Sequence, residues 1–432
     1  MRYLSTRGST RPVGIGAALG AGLAPDGGLY VPETLPLFRA DSFSGRESLA
    51  AVSARLLDPF FVGDPLAAHV STICTQALDI AAPLHAIAPQ TWTLELFHGP
   101  TAAFKDFGAR FLAANLALMR AHDAPPTTIL VATSGDTGAA VAAAFHRRPG
   151  FRVVILYPDG RVSPRQAHQL GCFGDNVTAL RVAGSFDDCQ AMVKQALNDQ
   201  DLKRALPITS ANSISLGRLL PQMGYYAHAA FAHWLERGRR LNFVIPTGNL
   251  GNALACIMAR ATGMPIGDVV LATNANRVLP DYFAGAEYAP RASVETLANA
   301  MDVGTPSNFE RLLWLYRDDA KLRAALRAES VDDAEIRQVI ASSRERYGTL
   351  VCPHTATALR VLQRLRAEGD TRDFAVVATA HPAKFEQVIE PLIGVPIPVP
   401  PPLAALLQRS SSSEPLAADY AALRDRLLAG AA

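Results

Sequence analysis

The feature that most constrains the fold of this chain is a repeated alternation of short apolar runs with helical patterns. Five such runs are each followed by a turn, and most of them by a helix-like pattern: residues 127–133, 152–157, 242–246, 269–273 and 374–379. Strands that alternate with helices form parallel sheets covered on both faces, so we predict an α/β fold. Ligands of such folds bind beyond the carboxyl ends of the strands.

Length and charge narrow the class of protein further. The 432 residues exceed what one core normally holds, so we expect two or three domains. The formal net charge is +2 and there is no long basic run, which gives no support to nucleic acid or an anionic membrane as a partner. No uninterrupted apolar stretch reaches the roughly 20 residues of a membrane-spanning helix.

The cysteines and the amino terminus both favour a cytoplasmic protein. The five cysteines are widely spaced and contain no C-x-x-C pair, as expected for buried thiols in a reducing compartment. Cys352 and His354 form half of a metal-binding pattern without a second half, so we predict no structural metal. Residues 13–23 imitate a secretory signal, but their glycines and the turn that follows favour folded structure.

One lysine stands at a predicted helix start. Gly99 and Pro100 break an apolar run, Thr101 is a good N-cap residue, and a helical pattern follows through Met119. Lys105 therefore lies in the first turns of this helix, between two phenylalanines.

The chemical interpretation of Lys105 is an amine that forms an imine with an aldehyde cofactor, because an apolar setting favours the neutral, nucleophilic nitrogen. The alternative is an ordinary helix lysine. Composition supports the chemical interpretation, since only five of the 41 basic residues are lysine. Arginine cannot lose its proton in a protein and so cannot replace lysine in this role.

Three loops at predicted strand ends carry residues suited to a ligand. Residues 133–141 form a turn of small residues, and residues 246–252 contain two glycines able to place backbone N–H groups around a phosphate. Residues 379–385 place a threonine hydroxyl at the end of an apolar strand. A tight turn or a capped helix start explains each loop by itself. Together with an imine-forming lysine, they indicate a pyridoxal 5'-phosphate site.

The residues quoted above resemble the threonine synthase family, in the version with a long N-terminal segment. The block H-G-P-T-x-A-F-K-D-F is the most specific match, and the resemblance covers nearly the whole chain. The other matching segments are residues 3–8, 22–32, 132–141, 210–213, 246–252, 299–304, 353–356 and 379–385.

The resemblance implies a fold type II pyridoxal phosphate enzyme, with the cofactor between a larger and a smaller α/β domain. Lys105 matches the Schiff-base lysine, and Thr379 matches the hydroxyl residue that faces the pyridine nitrogen. Asp136 stands where many fold type II enzymes have an asparagine that bonds the ring hydroxyl. The phosphate-binding loop of the cofactor is matched by Gly248, Asn249, Leu250, Gly251 and Asn252.

The reaction implied is conversion of O-phospho-L-homoserine and water to L-threonine and phosphate, the last step of threonine biosynthesis. Two anionic groups must be held, one on the cofactor and one on the substrate. We expect the substrate to be bound by residues from Ser134, Thr137, Ser210, Asn212, Ser213, Arg218, Arg110 and Lys384. The alternative for the segment before Arg218 is a plain helix cap with a solvated arginine.

Two rival functions remain open at this point. Another fold type II enzyme, such as a serine/threonine dehydratase or a β-replacing synthase, would share the lysine and the glycine loop. A non-catalytic relative would keep the fold as a binding module, but such a relative is expected to lose the lysine. The proline-rich residues 396–402 are either a ligand for a partner domain or, as we predict, a stiff crossing.

We predict four parts of the chain. Residues 1–90 form an N-terminal segment, residues 91–120 and 235–400 the larger cofactor-binding domain, and residues 121–234 the smaller domain. Residues 401–432 form a C-terminal crossing and a helix, which we predict over residues 417–428.

Overall fold

The computed structural model describes residues 1–39, 42–121 and 123–430. The helices are α1 (Ile15–Ala21), α2 (Leu49–Phe61), α3 (Val70–Ala77), α4 (Lys105–Met119), α5 (Asp136–Phe145), α6 (Pro164–Gly171), α7 (Phe186–Asn198), α8 (Gln200–Ala205), α9 (Leu216–Leu219), α10 (Gln222–Arg237), α11 (Gly251–Ala261), α12 (Val278–Phe283), α13 (Phe309–Tyr316), α14 (Asp319–Ala325), α15 (Asp333–Tyr347), α16 (Pro353–Ala367), α17 (Glu386–Ile393), α18 (Pro401–Leu407) and α19 (Tyr420–Ala429).

The strands belong to three sheets. They are β1 (Tyr3–Ser5), β2 (Tyr30–Pro32), β3 (Leu84–Ala88), β4 (Thr91–Glu95), β5 (Thr127–Ala132), β6 (Phe151–Pro158), β7 (Val177–Ala183), β8 (Ile208–Ser210), β9 (Leu241–Pro246), β10 (Ile266–Thr273), β11 (Arg327–Ser330), β12 (Phe374–Ala378) and β13 (Glu414–Ala417).

The larger sheet has six strands in the order β11-β10-β9-β12-β4-β3. All neighbours are parallel except β3 and β4, which form an antiparallel pair. The register places Ala378 of β12 beside Glu95 of β4, so these two strands end side by side. The carboxyl ends of β9, β12 and β4 therefore form one edge of the sheet.

The smaller sheet has five parallel strands in the order β13-β7-β6-β5-β8. Strands β1 and β2 form a separate antiparallel pair near the amino terminus. The fold is therefore of the predicted α/β class, and all five apolar runs that we predicted as strands are strands.

Helix α4 packs between the two sheets. Phe107 and Phe111 belong to the core cluster that includes residues of the larger sheet, whereas Leu112 and Ala113 belong to the cluster over the smaller sheet. A Cβ atom at Gly108 would lie 2.8 Å from the carbonyl oxygen of Arg218, so only glycine fits there. This close approach brings the segment around Arg218 against the helix that begins at Lys105.

Two local predictions about helix and strand ends were wrong. Thr101 does not cap α4; its backbone N–H and hydroxyl both donate to the carboxylate of Asp106. The C-terminal helix begins at Tyr420 rather than at Ala417, because residues up to Ala417 form β13 at the edge of the smaller sheet. Long-range strand pairing overrides the helix propensity of this segment.

The predicted domain boundaries stay a prediction, although two strands pair with a sheet that belongs to a different predicted part of the chain. Strand β3 lies within residues 1–90 yet pairs with the larger sheet, and β13 lies within residues 401–432 yet pairs with the smaller one. Residues 40–41, 122 and 431–432, which those boundaries include, lie outside the described residues.

The five cysteines are free and buried, as predicted. None of the helices within the described ranges is long and apolar enough to cross a membrane.

Candidate active site

A cavity of about 620 Å³ lies where the carboxyl ends of the two sheets face each other. From the larger sheet it is lined by Lys105 after β4, by Thr379 after β12 and by residues 246–252 after β9. From the smaller sheet it is lined by residues 132–134 after β5 and by Ser210 at the end of β8. Because these strands are neighbours within their sheets, the fold brings together loops that are far apart in sequence.

Lys105 is the first residue of α4, and its side chain is 13% exposed. Its Nζ lies 3.4 Å from Asp136 Oδ2 and 5.0 Å from the centre of the Phe104 ring. Burial, together with the positive charges of Lys384 and Arg218, lowers the pKa of Lys105, although Asp136 acts in the opposite direction. The surroundings therefore shift Lys105 towards the neutral amine that imine chemistry requires.

Asp136 is buried at the first turn of α5 and has three side-chain partners. Its Oδ1 lies 2.8 Å from Lys384 Nζ and accepts a hydrogen bond of 2.9 Å from Gln166 Nε2, while Oδ2 faces Lys105. Burial alone would raise the pKa of Asp136, but the charges of Lys384 and Lys105 outweigh it and hold the pKa well below its usual range. Asp136 is therefore an anion at any working pH.

Residues 248–251 form the loop that leads from β9 into α11. Leu250 caps the helix in the left-handed conformation, at φ 64°. A Cβ atom at Gly248 would lie 2.8 Å from Met301 Cα, so this position requires glycine. The first N–H groups of a helix have no acceptor within the helix, so the start of α11 presents donors to an anion.

The side chain of Asn249 anchors this loop. Both of its polar atoms are hydrogen-bonded within the protein, so the side chain is not the group that binds a phosphate. Its Nδ2 donates to Ser213 Oγ at 2.6 Å, and its Oδ1 accepts from the backbone N–H of Ser307 at 2.5 Å. The carbonyl oxygen of Asn249 accepts a further bond from Asn308 Nδ2. The side-chain amide and the backbone carbonyl of Asn249 thus fix the loop to Ser213, Ser307 and Asn308.

Arg218 is a buried cation whose surroundings suit a bound anion. It is 2% exposed, lines the cavity, and its Nη1 donates only to the carbonyl oxygen of Ala211. Burial lowers the pKa of Arg218 to about 10, so the guanidinium stays protonated at neutral pH. In the described part of the chain, its Nε and the Nδ2 of Asn252 are buried without a hydrogen-bond partner. A buried cation without a carboxylate is costly, and a bound phosphate would compensate it.

The structure brings most of the predicted site residues to this one cavity. The cofactor candidates that line it are Lys105, Asp136, Gly248, Asn249, Leu250, Gly251, Asn252 and Thr379. The substrate candidates that line it are Ser134, Thr137, Ser210, Asn212, Ser213 and Arg218.

Two candidates for the substrate phosphate lie elsewhere. Arg110 lines a separate cavity of about 200 Å³, where its Nη2 donates to the carbonyl oxygen of Gln76. Lys384 is fully buried behind Asp136, and its Nζ also donates to the carbonyl oxygen of Thr101 at 2.8 Å. We therefore do not propose either of them as a donor to the substrate.

Sequence reasoning missed three residues around Asp136. Gln166 bonds Asp136, and Asn299 donates from Nδ2 to Gln166 Oε1 at 3.2 Å. His354, which we weighed only as half of a metal site, lines the cavity, and its Nε2 accepts from the backbone N–H of Ala300. Burial lowers the pKa of His354 to about 4. The match of residues 353–356 to the family pointed to His354 as a site residue. No local sequence pattern points to Gln166.

Comparison with known proteins agrees with this geometry. Three family models match the chain: pyridoxal-phosphate dependent enzyme over residues 83–382, threonine synthase N terminus over residues 2–78, and threonine synthase, C-terminal, over residues 355–426. A threonine synthase of Serratia marcescens is 37% identical over 430 residues, covering 99% of each chain. The chain belongs to the threonine synthase family.

Solved structures of the family have the same architecture. A crystal structure of threonine synthase from Escherichia coli matches with a TM-score of 0.92 at 36% identity, covering 100% of each chain. A structure of pyridoxal phosphate-bound threonine synthase from Brucella melitensis matches with a TM-score of 0.90 at 34% identity, covering 100% of this chain and 99% of that one. The chain is therefore a pyridoxal phosphate-dependent enzyme of fold type II, as the resemblance implied.

Proposed function

We propose that this enzyme converts O-phospho-L-homoserine and water to L-threonine and phosphate, with Lys105 as its catalytic residue. The observation that carries the proposal is the position of Lys105: its amine opens into a cavity that also holds a helix-start phosphate loop and the unpaired cation Arg218. One cavity thus has donors for two separate phosphate groups, as this substrate and this cofactor together demand.

The residues present fit pyridoxal 5'-phosphate. Lys105 would attach it, the loop of Gly248, Asn249, Leu250, Gly251 and Asn252 would hold its phosphate at the start of α11, and Thr379 would face its ring nitrogen. The unpartnered Nδ2 of Asn252 is a further donor for that phosphate. When bound, the cofactor supplies an aldehyde for attachment and a conjugated ring that absorbs negative charge.

Proton transfer is assigned to Nζ of Lys105. In its neutral form the amine would remove the α proton of the substrate and, after releasing it, a β proton. Once phosphate has left, one proton would return to the γ carbon, which becomes the methyl group, and one to the α carbon after water has added at the β carbon. Asp136 at 3.4 Å stabilises the ammonium that forms after each removal. The phosphate leaves from the γ carbon.

Recognition of the substrate phosphate is assigned first to Arg218. Ser210, Asn212 and Ser213 lie in the same cavity wall at the end of β8 and just after it, and Ser134 and Thr137 provide hydroxyl groups from the end of the neighbouring strand β5. A guanidinium that is excluded from water binds a phosphate dianion more strongly than an exposed one, because little solvent competes.

The test is a product assay with purified protein, pyridoxal phosphate and O-phospho-L-homoserine. Threonine and phosphate are expected in equal amounts, because elimination and water addition belong to one catalytic cycle. If 2-oxobutanoate formed from threonine were the main product instead, the enzyme would be a dehydratase. Borohydride treatment followed by peptide mapping should place the cofactor on Lys105, and Lys105→Ala should abolish turnover, whereas Lys203→Ala on exposed α8 should not.

We also propose the cytoplasm as the location of the enzyme. Five free, buried cysteines suit a reducing compartment. The substrate is a small molecule, and the charge pattern supports no nucleic acid partner.

A further inference from the structure

The second buried lysine of the site, Lys384, has no assigned role, although it is 0% exposed and lies directly behind Asp136. A buried lysine is rare unless its charge is paired. Lys384 is paired twice: its Nζ lies 2.8 Å from Asp136 Oδ1 and 2.8 Å from the carbonyl oxygen of Thr101. It therefore adds a positive charge to the surroundings of the catalytic lysine.

The cluster holds more positive than negative charge. One carboxylate, Asp136, contacts both lysines, and Lys105 has the weaker of the two contacts, at 3.4 Å against 2.8 Å. A second buried carboxyl group, Asp106, also interacts with Lys384, but burial raises its pKa and its two oxygens accept hydrogen bonds from Thr101. Arg218 adds a further positive charge facing Lys105, and His354 from α16 stays neutral at physiological pH. Since two ammonium groups cannot both be neutralised by one carboxylate, the pKa of the lysine with the longer contact, Lys105, is lowered.

We propose that Lys384 is a positioning residue that takes up the charge of Asp136, so that Lys105 is released from a one-to-one ion pair and works as a neutral amine. This inference rests on the proposed function of Lys105. Asp136 then has two tasks, each on its own oxygen: Oδ1 binds Lys384 and Gln166, and Oδ2 faces the amine of Lys105.

The alternative is that the Lys384–Asp136 pair only fastens the loops together. Both explanations predict a loss of stability when the pair is broken, so stability cannot distinguish them. They differ in the proton affinity of the nitrogen of Lys105. Removing Lys384 leaves Asp136 to Lys105 alone and should raise that affinity, whereas removing the charge of Asp136 should lower it.

The experiment is a pH titration of the visible absorbance of the cofactor attached to Lys105, in the full-length enzyme with no substrate present. The variants are Lys384→Met, Asp136→Asn and the double substitution, with Lys203→Met on exposed α8 as the control. Relative to the wild type, the midpoint should move up by about one pH unit or more in Lys384→Met and down by a similar amount in Asp136→Asn, because a charge about 4–6 Å away shifts a pKa by roughly 1–3 units. The double variant should lie between them, and the control should not move.

Shifts in the same direction, or no shift in either single variant, would overturn the inference. If Lys384→Met does not fold, Asp136→Asn alone still decides, since an unchanged or raised midpoint contradicts the proposed charge balance. Failure of the proposed role of Lys105 is distinguishable, because the wild-type enzyme would then show no cofactor on Lys105, and failure of the proposed reaction is seen separately in the product assay.

Discussion

Asn249 donates a hydrogen bond of 2.6 Å to Ser213, and this bond joins the two sheets at the site. Asn249 follows β9 of the larger sheet, whereas Ser213 follows β8 of the smaller one. The cofactor loop and the segment leading to Arg218 are thus tied side chain to side chain. Both proposed phosphate positions depend on the same contact.

Breaking this bond should weaken retention of the cofactor. A typical hydrogen bond contributes about 0.5–1.5 kcal/mol, so Ser213→Ala should raise the Kd of pyridoxal phosphate by roughly 2- to 12-fold. Asn249→Ala should raise it further, because it also removes the bond from the backbone N–H of Ser307. A fluorescence titration of the apoenzyme measures this. Ser342→Ala, which removes a comparable hydroxyl-to-carbonyl bond within α15, should leave the Kd unchanged. Equal Kd values for Ser213→Ala and the wild type would show that the bond is unimportant.

Replacing Arg218 with methionine should separate anion binding from stability. The loss of a buried phosphate partner costs about 2 kcal/mol or more, which predicts a fall of at least about 30-fold in kcat/KM for O-phospho-L-homoserine. The Tm of the apoenzyme should stay unchanged or rise, because an uncompensated buried charge is removed. In the holoenzyme, where the cofactor fills the phosphate loop, inorganic phosphate should raise the Tm of the wild type but not of Arg218→Met.

Arg311 provides the matched control for that experiment. It is buried as deeply as Arg218, but its guanidinium is bonded to the carbonyl oxygens of Tyr30 and Ile214 and to Asn308 Oδ1. Arg311→Met should therefore lower the Tm and keep the stabilisation by phosphate. If both variants lost that stabilisation, Arg218 would not be the specific anion ligand.

The neutral state of His354 predicts a loss of stability in acid. Its pKa is about 4 in the folded protein, because of burial, against about 6.5 in the unfolded chain. The unfolded state therefore binds more protons between these values, so stability is fully present above about pH 6.5 and is lost as the pH falls towards 4. This one group accounts for about 2 kcal/mol between pH 7 and pH 5.

Substituting His354 with glutamine tests this contribution. Glutamine keeps an acceptor for the backbone N–H of Ala300 but does not titrate. Denaturant unfolding of the apoenzyme at pH 7 and pH 5 should show a smaller difference for His354→Gln than for the wild type. An identical pH dependence would contradict the assignment of a buried, neutral histidine.

The C-terminal helix should contribute to the stability of the smaller domain. Leu423 of α19 is fully buried in a cluster with Cys189, Met192 and Val193 of α7. Leu423→Ala should lower the free energy of unfolding by about 2–5 kcal/mol, while Leu118→Ala, at a side chain 49% exposed, should change it by less than about 0.5 kcal/mol. A small effect at Leu423 would mean that α19 is loosely attached.

The sequence by itself determined the secondary-structure elements of this protein and identified Lys105 as the reactive amine. Apolar runs, turn residues and helix signals act over a few neighbouring residues, so the strands around the site and the start of α4 near Lys105 were predictable. The glycine loop was predictable for the same reason. A position such as Gly248 tolerates no side chain, and the glycine that it requires is visible in the sequence. Family resemblance added the cofactor and the reaction.

Only the tertiary structure decided which charged residues meet. The order of parallel strands brings Asp136 and Lys384 to 2.8 Å although they lie far apart in sequence, and it places Gln166 beside them. Burial depends on the packing of whole elements, so no local pattern could show that Arg218 would lie unpaired in the cavity while Arg110 would line a separate cavity. Local sequence patterns determine the secondary-structure elements of this site, whereas long-range packing determines which charged residues meet and which are buried.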